Sequence, residues 1–160
     1  MLFRSRSVIY GVTGRPDLVE DIAQQVWAQV FERLDTLNDP RRLRSWLATI
    51  ARNAAIDASV ARKRRSSRTG TLEQAPEPAG DVRDFSPPEV IGGGELRDTL
   101  LRAVEALPAL YREPFVLRHL EGWSYAEIGD VLDLGVDTVE TRLVRARRFL
   151  REMLNGKVER

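Results

Sequence analysis

Apolar residues recur at helical spacing through most of this chain. Between residues 16 and 34, Leu18, Ile22, Val26, Val30 and Leu34 return every four positions, and Trp27 and Phe31 widen the stripe. That period predicts an amphipathic helix. Pro16 suits a first helical turn, and Asp17, Glu20 and Asp21 suit the positive end of the helix dipole. Asn38-Asp39-Pro40 breaks the pattern. A second helix follows, with Leu43, Trp46, Leu47, Ile50, Ala54 and Ile56 as its buried side, and runs out into Arg62-Lys63-Arg64-Arg65. Two helices make a thin core. Either residues 1–15, which Gly11 and Gly14 interrupt, add a short piece, or a partner completes the module.

The second half repeats the theme in shorter elements. Leu96, Leu100, Leu101 and Val104 start a helix that stops near Pro108, and Leu110, Phe115, Val116 and Leu120 mark the next. Glu121-Gly122-Trp123 forms a turn. Ser124 and Glu127 make an S-x-x-E capping box before a short helix through Tyr125, Ile128, Val131 and Leu132. A break at 133–136 leads into a last helix with Val139, Leu143, Ala146, Leu150 and Met153 inward.

Residues 66–94 hold five glycines, four prolines and no sustained apolar period, so they read as a linker. The expected architecture is all-α: two small helical domains, 1–65 and 95–160, joined by a flexible acidic linker over 66–94. No apolar run reaches the ~18–20 residues of a membrane span, and the start carries no recognisable signal peptide. The chain has no cysteine and one histidine, His119. Disulfides, thiolate metal sites and cysteine nucleophiles are excluded, as is a multi-histidine metal site. A cytoplasmic protein without cofactor is the expectation. His119 has no partner motif, so no catalytic role and no small-molecule substrate are expected.

A net charge of +1 hides a strong pattern. Residues 41–68 carry nine basic side chains against Asp57, residues 69–99 carry seven acids against Arg83 and Arg97, and residues 141–151 carry five arginines and no acid. Two basic islands flanking an acidic bridge are the footprint of a polyanion with two contact points. Solvated helix faces would give the same charges singly.

The last pair of helices has the spacing of a helix-turn-helix. Gly129 stands where the helices cross closely. Asp133, four residues later, stands where a positive φ is needed and aspartate is tolerated. Val139 anchors the second helix. The outward face of that helix shows Asp137, Thr138, Glu140, Thr141, Val144, Arg145 and Arg148, placed to meet base edges in a major groove. An αα-hairpin packed on a protein is the competing reading.

GWSYAEIGDVLDLGVDTVETRLVRAR resembles the C-terminal helix-turn-helix of bacterial extracytoplasmic-function sigma factors, and ALPALYREPFVLRHLEG the helix leading into it. DLVEDIAQQVWAQVF resembles their polymerase-binding helix, and RLRSWLATIARNAAIDASVARKRR their −10 recognition and melting helix. The resemblance implies binding to core RNA polymerase, through the β′ clamp helices and the β flap, and to promoter DNA. It also implies an anti-sigma factor as partner, a nucleoid-associated location and no membrane insertion. It places Asp21, Gln24 and Gln25 on the polymerase. Arg41, Arg42, Arg44, Arg52, Asn53, Arg62 and Arg64 fall on the −10 element. Trp46 is a candidate to stack on an extruded base there, although its place on the apolar stripe favours the core. At the −35 element, Glu140, Thr141, Val144 and Arg145 would face bases, and Thr138, Arg142, Arg147 and Arg148 would bind phosphates.

The chain departs from the family pattern in three ways. Little chain precedes the polymerase-binding helix. Gln25 stands where an acid is common. Asp137 and Glu140 stand where glycine and a basic residue are common. Two other functions fit parts of the sequence: a stand-alone helix-turn-helix regulator, which would dimerise on palindromic sites, and a degenerate sigma-like adaptor that binds polymerase or an anti-sigma factor without opening promoters.

Overall fold

The structure is a computed structural model that describes residues 2–69 and 94–158. Among the described residues seven α-helices follow one another: α1 (Leu2–Thr13), α2 (Pro16–Arg33), α3 (Leu43–Thr69), α4 (Gly94–Glu105), α5 (Ala109–His119), α6 (Tyr125–Leu132) and α7 (Val136–Val158). The chain forms two compact units, one containing α1–α3 and the other α4–α7. Residues 70–93, most of the predicted linker, lie outside the described residues; α3 continues through the first of the linker positions, to Thr69.

The first unit is a three-helix module. Residues 1–15 supply α1, with Val8, Ile9 and Tyr10 buried. Gly14, at φ 61°, ends it in the left-handed conformation, its N–H donating to the Tyr10 carbonyl at 2.8 Å. The glycines that obscure this helix in sequence therefore divide the labour: Gly11 lies inside it and Gly14 stops it. α1 and α2 both pack on α3. The side of α3 they meet is built from Ala48, Ile50, Ala51, Ala54 and Ala55. Small side chains let the helices approach closely, so the core here is alanine-rich, not leucine-rich.

Several expected core positions lie elsewhere. On α2 the buried residues are Val19, Ile22, Ala23, Val26 and Val30, while Phe31 is 76% and Leu34 50% exposed. A strict four-residue repeat drifts by about 40° per step around a helix of 3.6 residues per turn, so Leu34 has left the face that Leu18 began. Trp46 is half-buried and not part of the core. It shares a face with Thr49, Asn53, Val60 and Arg64, at helical spacings of three, four, seven and four. Leu43, Leu47 and Ile56 are half-buried as well.

The second unit buries Val104, Leu107, Val116, Leu117, Trp123, Ile128, Val139, Leu143, Ala146 and Leu150. Trp123, placed by its sequence in a turn, is 2% exposed. Leu96, Leu100 and Leu110, expected to mark buried sides, are exposed. Arg112 is buried on α5 and donates to the carbonyls of Glu105 (3.0 Å) and Leu107 (2.7 Å). Those carbonyls lie at and just past the end of α4, where no helical partner remains, and the cation meets the negative end of the α4 dipole.

Candidate nucleic-acid interface

The geometry of the α6–α7 turn follows from four residues. Ser124 caps α6 as a full capping box: its Oγ accepts from the Glu127 N–H at 3.2 Å, and its N–H donates to Glu127 Oε2 at 2.8 Å. At the far end Asp133 adopts φ 55°, ψ 53°, and its N–H donates to the Gly129 carbonyl. The Leu134 N–H reaches the same carbonyl at 2.9 Å. The chain thus doubles back over Gly129, where a Cβ would stand 2.5 Å from the Leu134 carbonyl oxygen. Only glycine fits. Val139, Leu143 and Ala146 are fully buried and lock α7 to the unit.

With that side fixed, the opposite side of α7 faces solvent. Asp137, Thr138, Glu140, Thr141, Val144, Arg145, Arg147 and Arg148 are exposed, and Arg142 is half-buried. All eight −35 candidates lie on this helix. The Thr141 hydroxyl donates to the Asp137 carbonyl at 2.9 Å. Arg148 lies 3.6 Å from Glu152, an exposed pair one turn apart and so worth little. Arg118 donates to the Trp123 carbonyl at 2.7 Å and lies over the Tyr125 ring, fixing the approach to α6. The His119 ring lies against Phe115 in a tilted contact, with centroids 4.5 Å apart. Partial burial, then Arg147 and Arg118, hold its pKa below the ordinary histidine value.

The first unit carries a second cationic surface. Arg41 and Arg42 are exposed in a single 3-10 turn, Pro40–Arg42, capped by the Asp39 carboxylate, which accepts from the Arg41 N–H at 3.0 Å. The Arg41 guanidinium also pairs with Asp39 at 3.1 Å and holds the Asp39 carboxyl below its usual range. Asn53 and Arg64 are exposed on the outer face of α3, in register with half-buried Trp46, and Arg44 and Arg52 are half-buried. Arg62 lies apart from this face. It lines a groove of about 660 Å³ between α2 and α3, together with Asp21, Gln25, Asp57 and Arg65, and its charge helps keep the Asp17 carboxyl low, after the hydrogen bond and charge of Arg15. Gln24 is exposed on α2 and is not among the residues lining that groove. The structure therefore brings Arg62 to Asp21 and Gln25, and separates it from Asn53 and Arg64.

Sequence reasoning missed Trp123 and Arg112 as supports of these surfaces, and of its two alternatives for completing the first module the structure shows the chain's own N-terminal segment, as α1. Among the described residues, no cluster of His, Cys, Asp or Glu could hold a metal ion, and no helix is long and apolar enough to cross a membrane.

Comparison with known proteins matches the two units separately. The family model described as Sigma-70 region 2 matches residues 4–67, and that described as Sigma-70, region 4 matches residues 97–150. The ECF RNA polymerase sigma-E factor of Escherichia coli (strain K12) is 34% identical over 145 residues, covering 88% of this chain and 74% of the relative. The ECF RNA polymerase sigma factor SigW of Bacillus subtilis (strain 168) is 30% identical over 153 residues, covering 91% and 80%. Among solved structures, the sigma factor RpoE from Bartonella quintana, crystallised with the anti-sigma factor NepR, superposes with a TM-score of 0.77 at 26% identity, covering 99% of this chain and 93% of that one. CnrH, in complex with the cytosolic domain of CnrY, gives 0.61 at 26% identity, covering 97% and 81%.

Proposed function

This chain belongs to the extracytoplasmic-function (ECF) sigma factors, and from that premise we propose how its helices divide the work of promoter recognition. Sigma factors of this family direct core RNA polymerase to specific promoters, as initiation factors and not as catalysts. For this chain the division follows surface chemistry. On α2, Asp21, Gln24 and Gln25 meet the β′ clamp helices. In the 3-10 turn and on α3, Arg41, Arg42, Arg44, Arg52 and Arg64 hold backbone phosphate at the −10 element, with Asn53 for a base and Trp46 for a stacked one. Arg62, at the α2–α3 groove, contributes charge at the border of the two surfaces. On α7, Glu140, Thr141, Val144 and Arg145 meet −35 bases while Thr138, Arg142, Arg147 and Arg148 hold the flanking strands. The second unit docks on the β flap, and residues 66–94 span between the elements. About 17 base pairs at ~3.4 Å come to roughly 58 Å, within the reach of the ~24 residues between α3 and α4 at ~3.3 Å per residue.

The observation that carries this reading is α7: a helix pinned by Val139, Leu143 and Ala146, with its opposite face exposed to solvent. The two solved neighbours were captured with protein partners, one of them an anti-sigma factor. By that likeness this chain too is restrained by an anti-sigma factor. It works in the cytoplasm at the nucleoid, with no cofactor and no catalytic residue of its own.

Titration of labelled full-length chain with core RNA polymerase, read by fluorescence anisotropy at physiological salt, tests the reading. Saturable one-to-one binding is the expected result, followed by promoter-dependent transcription. A folded chain that binds duplex DNA but never core polymerase would replace this reading with a stand-alone regulator. Binding without transcription would replace it with an adaptor.

A further inference from the structure

The outward face of α7 has a peculiar order. The end of a recognition helix that reaches base edges is its N-terminal part. Here the exposed residues of that part, Asp137, Thr138, Glu140, Thr141 and Val144, include no cation. The exposed arginines begin at Arg145. Asp137, Glu140, Thr141 and Val144 stand at i, i+3, i+4 and i+7, so they share one face. Val144 is 52% exposed. Glu140 makes no ion pair among the described residues, since position 144, where an i+4 partner would stand, is valine. The Thr141 hydroxyl hydrogen is used on the Asp137 carbonyl, so outward it offers an acceptor and a methyl group.

Each of these groups has a narrow range of complements in a major groove. A carboxylate between two phosphate strands is repelled unless it accepts a hydrogen bond. Guanine and thymine offer a carboxylate only acceptors there, and adenine sets its N6 amino group beside the N7 acceptor, whereas cytosine presents its N4 amino group with no acceptor of its own. The sole apolar group in the groove is the thymine C5-methyl. Glu140 and Val144 are four residues apart, about 6 Å along the helix, which is the rise of about two base pairs at ~3.4 Å each.

We propose that Glu140, Thr141 and Val144 make this chain select a −35 element with cytosine at Glu140 and, within about two base pairs, a thymine whose methyl packs on Val144 and Thr141. This rests on the promoter-binding reading of α7. It makes the acidic and apolar N-terminal part the source of sequence choice, and leaves affinity to the arginines that follow.

The test uses holoenzyme assembled from core RNA polymerase and the full chain. Promoter duplexes with a randomised −35 segment are selected by binding. In the selected duplex each thymine is then replaced by uracil, which removes only the methyl group. The expected element contains the cytosine and the neighbouring thymine. Uracil at that thymine weakens binding about fourfold, the value of one buried methyl, and has a clearly smaller effect on holoenzyme carrying Val144→Ala, where Thr141 still meets part of the methyl. Glu140→Gln shifts the cytosine preference toward adenine, which a glutamine amide reads, and leaves the other positions alone. A defined −35 element lacking this pair, or a uracil penalty undiminished in Val144→Ala, would overturn the proposal while leaving the promoter reading intact. Failure of the wild-type holoenzyme to enrich any −35 sequence would overturn that reading itself.

Discussion

Gly129→Ala probes the turn on which the whole α7 face depends. The added Cβ would lie 2.5 Å from the Leu134 carbonyl oxygen and 3.9 Å from Val139 Cγ2. The obstructing atom is backbone, so no rotamer change removes it. Leu134 is itself tied to residue 129 by the 2.9 Å bond from its N–H. Forced overpacking costs about 1–3 kcal/mol, and alanine returns at most about 1 kcal/mol in helix propensity. The net loss is about 1–2 kcal/mol, localised to the second unit. Trp27 and Trp46 lie in the first unit and Trp123 in the second, so Trp27→Phe with Trp46→Phe leaves one buried reporter in the second unit. Urea unfolding followed by Trp123 fluorescence is expected to show a midpoint lowered by about 0.5–1 M at a slope near 2 kcal/mol/M. Core polymerase binding through the first unit stays unchanged, while −35 binding weakens because α7 is displaced. An unchanged midpoint would show that the Leu134 carbonyl moves aside freely, and would refute the idea that the close approach at residue 129 fixes α7.

Three further outcomes follow from the same geometry. Asp133 occupies a left-handed conformation, so Asp133→Gly is tolerated while Asp133→Val loses about 1–2 kcal/mol, measurable with the same Trp123 readout. Arg112→Met preserves volume but strips the Glu105 and Leu107 carbonyls of a charged donor, for a loss of about 1.5–3 kcal/mol; unaltered stability would mean those carbonyls find other donors. Because the His119 pKa is held below its ordinary 6.5 in the folded chain, the unfolded chain takes up the proton first. Stability therefore falls as pH drops below about 6.5 and levels off once the folded-state pKa is passed. Thermal unfolding of the second unit between pH 8 and 5 should show this slope, and His119→Gln should flatten it.

What the sequence disclosed and what it hid divide along a physical line. The capping box, the left-handed Asp133, the obligatory Gly129 and the anchor Val139 were legible because each is set by its neighbours within ten residues. The roles that depend on distant contacts were not. Trp123 sits in a stretch that reads as a turn, yet its ring fills the second core. Arg112 looks like one arginine among many until the end of α4 is seen above it. Phe31 and Leu34 fit a four-residue repeat that drifts off the buried face. Within the candidate −10 residues, one basic run after Ala61 reads as a single patch, but a helix distributes it: Arg64 follows Asn53 outward, and Arg62 turns to the groove with Asp21.

The packing of α1 bears on how this protein is handled in the laboratory. The four stretches whose sequence resembles the family all begin at or after residue 17, although the region 2 match starts at residue 4, so a version starting at Pro16 would keep every one of those stretches. It would lack Val8, Ile9 and Tyr10, whose burial is worth roughly 1.5–3 kcal/mol apiece. Together that approaches the whole stability of a small domain, about 5–15 kcal/mol. Such a version would lose core polymerase for want of a folded first unit, and the defect would be misread as a missing contact on α2. Choice of translation start, and of which end carries a purification tag, therefore belongs among the determinants of whether this sigma factor works.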